Sequence, residues 1–137
     1  MNTIEKLLKM DAGKIEAPHR NVPLKLQKLG GEEIVFECRA IDPERLGELQ
    51  EQAVEFSKKG QFKGTRMSAV KFLIILEACP IFRNSDVMKH FNAVTPKELM
   101  KKLLLAGELD DLYKEINELN GYEPEKDEEE QNEIKNL

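Results

Sequence analysis

The chain has no tryptophan, two cysteines, two histidines and no apolar run longer than the five residues Phe72 to Leu76. Each shortage excludes something. A transmembrane helix needs about 20 consecutive apolar residues, so no membrane partner is expected. Glu5, Lys6 and Lys9 fall among the first apolar positions, which a secretory signal does not tolerate. The chain is therefore expected to stay in the cytoplasm where it is made. A zinc site takes about four closely spaced ligands; His19, His90, Cys38 and Cys79 are scattered, so no metal ligand is assigned. Cys38 alternates with Ile34 and Phe36, and Cys79 ends an apolar stretch. Both read as small buried hydrophobes, and a reducing cytoplasm disfavours a disulfide between them.

At 137 residues the chain suits one domain, able to bury roughly two thirds of its unfolded surface. Its core must rest on Leu, Ile, Val, Met and six Phe. The net charge of −5 is concentrated at one end. Residues 123–137 carry seven acids against Lys126 and Lys135, which leaves residues 1–122 neutral. A neutral body lacks the broad basic field that phosphate binding requires, so nucleic acid is not an expected partner. The acidic stretch has only Ile134 and Leu137 to bury. That is too little to offset its ordering entropy, and a mobile tail is expected, whose deletion should hardly change the melting temperature.

Residues 3–10 read as a short amphipathic helix with Thr3 as its cap and Ile4, Leu7 and Leu8 on one side. So short a helix is unstable alone in water. It has to dock, on its own body in the first reading or on a partner in the second. Asp11-Ala12-Gly13 ends it, and residues 17–21 read as a loop. Val22, Leu24 and Leu26 then alternate with polar neighbours, as do Ile34, Phe36, Cys38 and Ala40 beyond Gly30-Gly31. That pattern predicts a β-hairpin. Gly30-Gly31 could instead suggest a phosphate-cradling loop, but Glu32-Glu33 and a strand follow it where such loops lead into a helix N-terminus, so the turn is the preferred reading.

From Asp42 onward the periodicity is helical. Asp42 and Pro43 open a helix whose stripe is Leu46, Leu49, Ala53 and Phe56, closed by Lys58-Lys59-Gly60. Glu48 and Glu51 belong to its solvated face rather than to an acid/base couple. After a loop at residues 60–64, Thr65 caps a helix from Met67 to about Ala78 that is apolar almost all round. It should be the central element, with Leu73 and Ile74 among its most buried residues. Pro80 stops it, and Asn84 caps a short helix carrying Val87, Met88 and Phe91. His90 lies one turn after Asp86, but without a nucleophile at a partner spacing the two read as a surface ion pair.

Residues 95–122 are the most informative. Thr95, Pro96 and Glu98 make a helix start with a capping box. Leu99, Leu103 and Ala106 follow at helical spacing, and Gly107 interrupts. Glu108, Asp110 and Asp111 crowd a new first turn, where the helix dipole favours carboxylates. Leu109, Leu112, Ile116 and Leu119 form the second stripe, and Asn120-Gly121 is a stop. These patterns give an α+β fold, an N-terminal β-hairpin followed by a mainly α-helical bundle of four or five helices. They also give two regions, a domain over 1–122 and the tail over 123–137. They supply no catalytic residue, no cofactor site and no metal site, so an enzyme is not expected.

The run PKELMKKLLLAGELDDLYKEINELNGY (96–122) resembles the C-terminal half of the XkdN-like tail assembly chaperones of contractile-tailed phages and defective prophages. The opening MNTIEKLLKMDAGKIEAP and the central FECRAIDPERLGELQEQAVE are similar to the corresponding parts of that family. The likeness covers residues 1 to about 122 and rests on the order of helix caps and stripes. It implies a non-catalytic chaperone in the bacterial host cytoplasm, absent from the mature tail. It implies the tape-measure protein as partner and, in related systems, the tail-tube subunit. In many such chaperones a programmed frameshift makes a longer fused form. Self-association stays open. The partner-facing residues expected from the two narrow stripes are Ile4, Leu7, Leu8, Leu109, Leu112, Ile116 and Leu119, which could meet a client helix in a groove; packing inside the monomer is the competing reading for both. The runner-up function is a small nucleic-acid-binding regulator. Its most cationic helix, with Lys97, Lys101 and Lys102, has no Arg, Asn or Gln for base edges.

Overall fold

A computed structural model describes residues 2–58 and 66–122. The expected packing of Phe56, the loop at 60–64, the Thr65 cap, Met67 and the 123–137 tail all lie outside the described residues and side chains. The described chain runs helix α1 (Thr3–Leu8), strand β1 (His19–Leu26), strand β2 (Glu32–Arg39), helix α2 (Pro43–Lys58), helix α3 (Arg66–Ala78), helix α4 (Ser85–His90), helix α5 (Pro96–Leu103) and helix α6 (Ala106–Leu119). The α+β expectation therefore holds, with five helices after the hairpin.

The strands pair antiparallel, with Val22 opposite Phe36 and Leu24 opposite Ile34. Their turn needs two positive φ values in succession, 70° at Gly30 and 81° at Gly31, a conformation that costs glycine nothing. Pairing extends further than the alternation suggested: His19, Arg20 and Asn21, read as loop, face Arg39, Cys38 and Glu37. Those three residues are polar and exposed, so no apolar alternation marks them, although Cys38 opposite Arg20 is buried. Only one face is covered, with Val22, Leu26, Phe36 and Cys38 buried. Ile34, two positions from the turn end of β2, is more exposed than expected.

The covered face rests on α6 and on a short 3-10 turn, Pro80–Arg83, whose Phe82 stacks on Phe36 at 5.5 Å between ring centroids. Helices α2 and α3 pack together, and α3 also contacts α6. Leu46, Leu49 and Ala53 of α2 are buried as their spacing predicts. In α3 the buried residues are Ala69, Ile74, Ile75 and Ala78, while Leu73 is only half-buried. The expectation for Leu73 fails because a helix apolar on all sides does not reveal which side faces the core.

The helix starts follow their caps. The Asp42 carboxylate accepts from Glu44 N at 3.2 Å, and the Asn84 amide oxygen accepts from Asp86 N and Val87 N, both at 3.0 Å. Thr95 Oγ1 accepts from Glu98 N at 3.2 Å, while the Glu98 carboxylate reaches Val94 N at 2.8 Å, one residue outside the usual box. Helix α5 ends earlier than its stripe implied. The break falls at the extended residues Leu104 and Leu105, and Ala106 already starts α6. Leu104 turns into the core, and Glu108 accepts from Leu105 N at 2.7 Å, which fixes the new start ahead of Gly107.

Candidate functional site

Helix α1 departs most from the rest of the molecule. Asn2, not Thr3, is its cap, accepting from Glu5 N at 2.8 Å. Asp11 caps the 3-10 turn Ala12–Lys14 that follows, accepting from Gly13 N at 2.9 Å. These bonds are all local, and no residue of α1 is buried. Ile4, Leu7, Leu8, Met10 and Ile15 are each between 67% and 86% exposed. The first reading of this helix, docking on its own body, is not met among the described residues. A single exposed apolar side chain is ordinary on a protein surface, but five within twelve residues make a stripe that water covers poorly.

The seven expected contact residues divide sharply. Ile4, Leu7 and Leu8 stand free of the core, Leu109 is half-buried, and Leu112, Ile116 and Leu119 are buried. Helix α6 lies over the hairpin and α3, so a partner reaches Leu112 or Ile116 only by opening the core. Long-range polar contacts hold α6 there. Arg20 of β1 donates to Glu115 and, at 2.9 Å, to Glu118. Ile41 N donates to the Asn120 side-chain oxygen at 2.8 Å.

Leu109 instead helps to line a groove of about 350 Å³ between α3 and α6, together with Lys71, Phe72, Ile75, Ala106 and Asp110. Lys71 Nζ bonds Asp110 Oδ1 at 2.7 Å across its rim and sits 5.7 Å from the centre of the Tyr113 ring. Lys97 Nζ lies 5.4 Å from the centre of the Phe72 ring. Burial first, then the neighbouring Lys101 charge, lowers the Lys97 pKa. The groove is thus apolar in its floor and charged at its edge. Met10, Ile15 and Phe72 were missing from the expected contact residues. The first two extend the Ile4, Leu7, Leu8 stripe past the end of α1; Met10 lay inside the expected 3–10 helix, and Ile15 lay beyond it.

Among the described residues no group of three or more His, Cys, Asp or Glu could hold a metal ion, and no helix is long and apolar enough to cross a membrane. His90 meets the Phe91 ring edge-on at 4.9 Å, where an ion pair with Asp86 was expected.

Comparisons with known proteins accord with this architecture. A family model described as phage XkdN-like tail assembly chaperone protein matches residues 4–135, running into the acidic C-terminal stretch. The fold is similar to the crystal structure of the protein YqbN, with a TM-score of 0.58 and 19% identity over 82% of this chain and 93% of that one. No curated protein matches.

Proposed function

The chain belongs to the phage XkdN-like tail assembly chaperone family, whose role is non-enzymatic, and from that membership we propose that it holds a hydrophobic helical segment of a tail protein before assembly. The tape-measure protein is the main client and the tail-tube subunit a second. The exposed stripe of α1 carries this reading. Fully burying a Leu or Ile side chain contributes about 1.5–3 kcal/mol. Covering Ile4, Leu7 and Leu8 therefore offers enough to order a short helix on a client. The half-buried Leu109 and Phe72 offer a groove for further client side chains. Exchange of the client into a growing tail leaves the chaperone behind in the host cytoplasm, outside the finished particle.

Co-expression with the tape-measure protein tests the reading. Soluble tape-measure protein should rise with the wild-type chain and fall back with Leu7→Glu or Leu8→Glu. Leu112→Glu does not serve, because a carboxylate at a fully buried position would unfold the domain. Equal protection by folded Leu7→Glu would move the contact elsewhere, and no protection by the wild type would remove the client assignment.

A further inference from the structure

Cys38 and Cys79, 41 positions apart in sequence, meet in the core with their Sγ atoms 3.2 Å from each other. Both are free thiols and both are 0% exposed. Cys38 lies in β2 opposite Arg20, and Cys79 directly follows α3. Two buried small hydrophobes need only fill space, yet these two face each other sulfur to sulfur. The Cys38 sulfur also lies 3.8 Å from the Phe36 carbonyl oxygen.

We propose that Cys38 and Cys79 are an oxidisable dithiol, a modification site that a peroxide converts to a disulfide bracing β2 against the end of α3. The sulfurs need approach by only about 1 Å to reach the bond length near 2.05 Å. The pair is also chemically unequal. The hydrogen bond with Cys79 lowers the Cys38 pKa, outweighing the opposing effect of burial. The same bond, with burial, pushes the Cys79 thiol well up. Cys38 is thus the more acidic of the two sulfurs, which makes it the attacking group once it has lost its proton, with Cys79 as the thiol that follows.

The step balances. The Cys38 thiolate attacks one oxygen of hydrogen peroxide, the O–O bond breaks, and the departing hydroxide takes up the proton Cys38 had released. The resulting sulfenic acid is attacked by the Cys79 sulfur. The S–O bond breaks and the second water leaves with the Cys79 proton. Two thiols are oxidised to one disulfide and the peroxide is reduced to two waters. Because both thiols are enclosed, the reaction waits on local opening, and a small oxidant is the class that fits.

The test uses the purified, reduced full chain with one equivalent of peroxide, followed by alkylation in denaturant and intact mass. The expected product is a monomer that has lost two hydrogens, carries no alkylatable thiol and reverts with dithiothreitol. Closing a loop of this length should raise the melting midpoint by about 10–15 °C. Under the same treatment Cys79→Ala should leave Cys38 as a sulfenic acid that a 1,3-dione captures. Thiols that stay alkylatable, chains that gain oxygen instead of losing hydrogen, or disulfide-linked dimers would each overturn the proposal. The wild-type mass measurement decides on its own, whether or not the variant folds.

Discussion

Helices α1 and α6 have the same kind of sequence and opposite fates. Each has a narrow apolar stripe at helical spacing, Ile4, Leu7 and Leu8 in one and Leu109, Leu112, Ile116 and Leu119 in the other. In α6 the stripe closes the core, and in α1 it faces water. Length separates them first: 14 residues make nearly four turns, and six make fewer than two. Tethering separates them second. Helix α6 is held by Arg20 and by the Ile41 amide, both from segments far away in sequence, whereas among the described residues the hydrogen bonds that cap α1 and the turn after it stay within their own segment. A stripe therefore shows that a face needs cover, and the long-range contacts show whether the chain itself supplies it.

The largest effect that sharpens this contrast belongs to the packed side. Phe36 is 1% exposed and stacked on Phe82, so Phe36→Ala should destabilise the domain by about 3–5 kcal/mol. Urea titration reads this directly, and a loss below about 1 kcal/mol would mean that the hairpin does not close the core. Next come two neighbours in α3. Ile74→Ala should cost about 2–5 kcal/mol. Leu73→Ala should cost no more than about half as much, because its side chain already meets water in part. Equal losses would show that burial within α3 is not divided as the fold indicates.

A smaller effect is expected where a local rule operates by itself. Thr95 caps α5 through one bond to Glu98 N, and Thr95→Ala should lower stability by about 1 kcal/mol. Such caps were the most legible part of the sequence. Asp42, Asn84 and Thr95 act on residues two or three positions away, so a short window contains the whole interaction. The Gly30-Gly31 turn was legible for the same reason, and Asn120-Gly121 stops α6 with Gly121 at a φ of 94°. Contacts between distant segments were not. Nothing near Arg20 announces Glu115 and Glu118, nothing near Cys38 announces Cys79, and the 3-10 turn that brings Phe82 to Phe36 has no periodicity to read. The apolar composition of α3 showed that it is enclosed, without showing that Ile75 and not Leu73 is the inner residue. For the candidate site, Ile4, Leu7 and Leu8 were legible as a stripe, but their exposure depends on what the other helices leave uncovered.

The smallest expected change in stability carries the most about function. Leu7 lies in a helix with no buried residue, so Leu7→Glu removes no packing from the body. Its stability should remain within about 0.5 kcal/mol of wild type, the range of ordinary surface substitutions. The Leu112→Glu change, chemically identical, should abolish folding, because the same carboxylate would be enclosed without a partner. Paired denaturation curves of the two variants compare the stripes directly. Retained stability in Leu7→Glu together with lost tape-measure protection would locate the binding energy in α1 and the folding energy in α6. A Leu7→Glu protein that unfolds several kcal/mol more easily would show that α1 packs on the domain in solution. In that case the exposed stripe would be part of the core, and the division between the two helices would collapse.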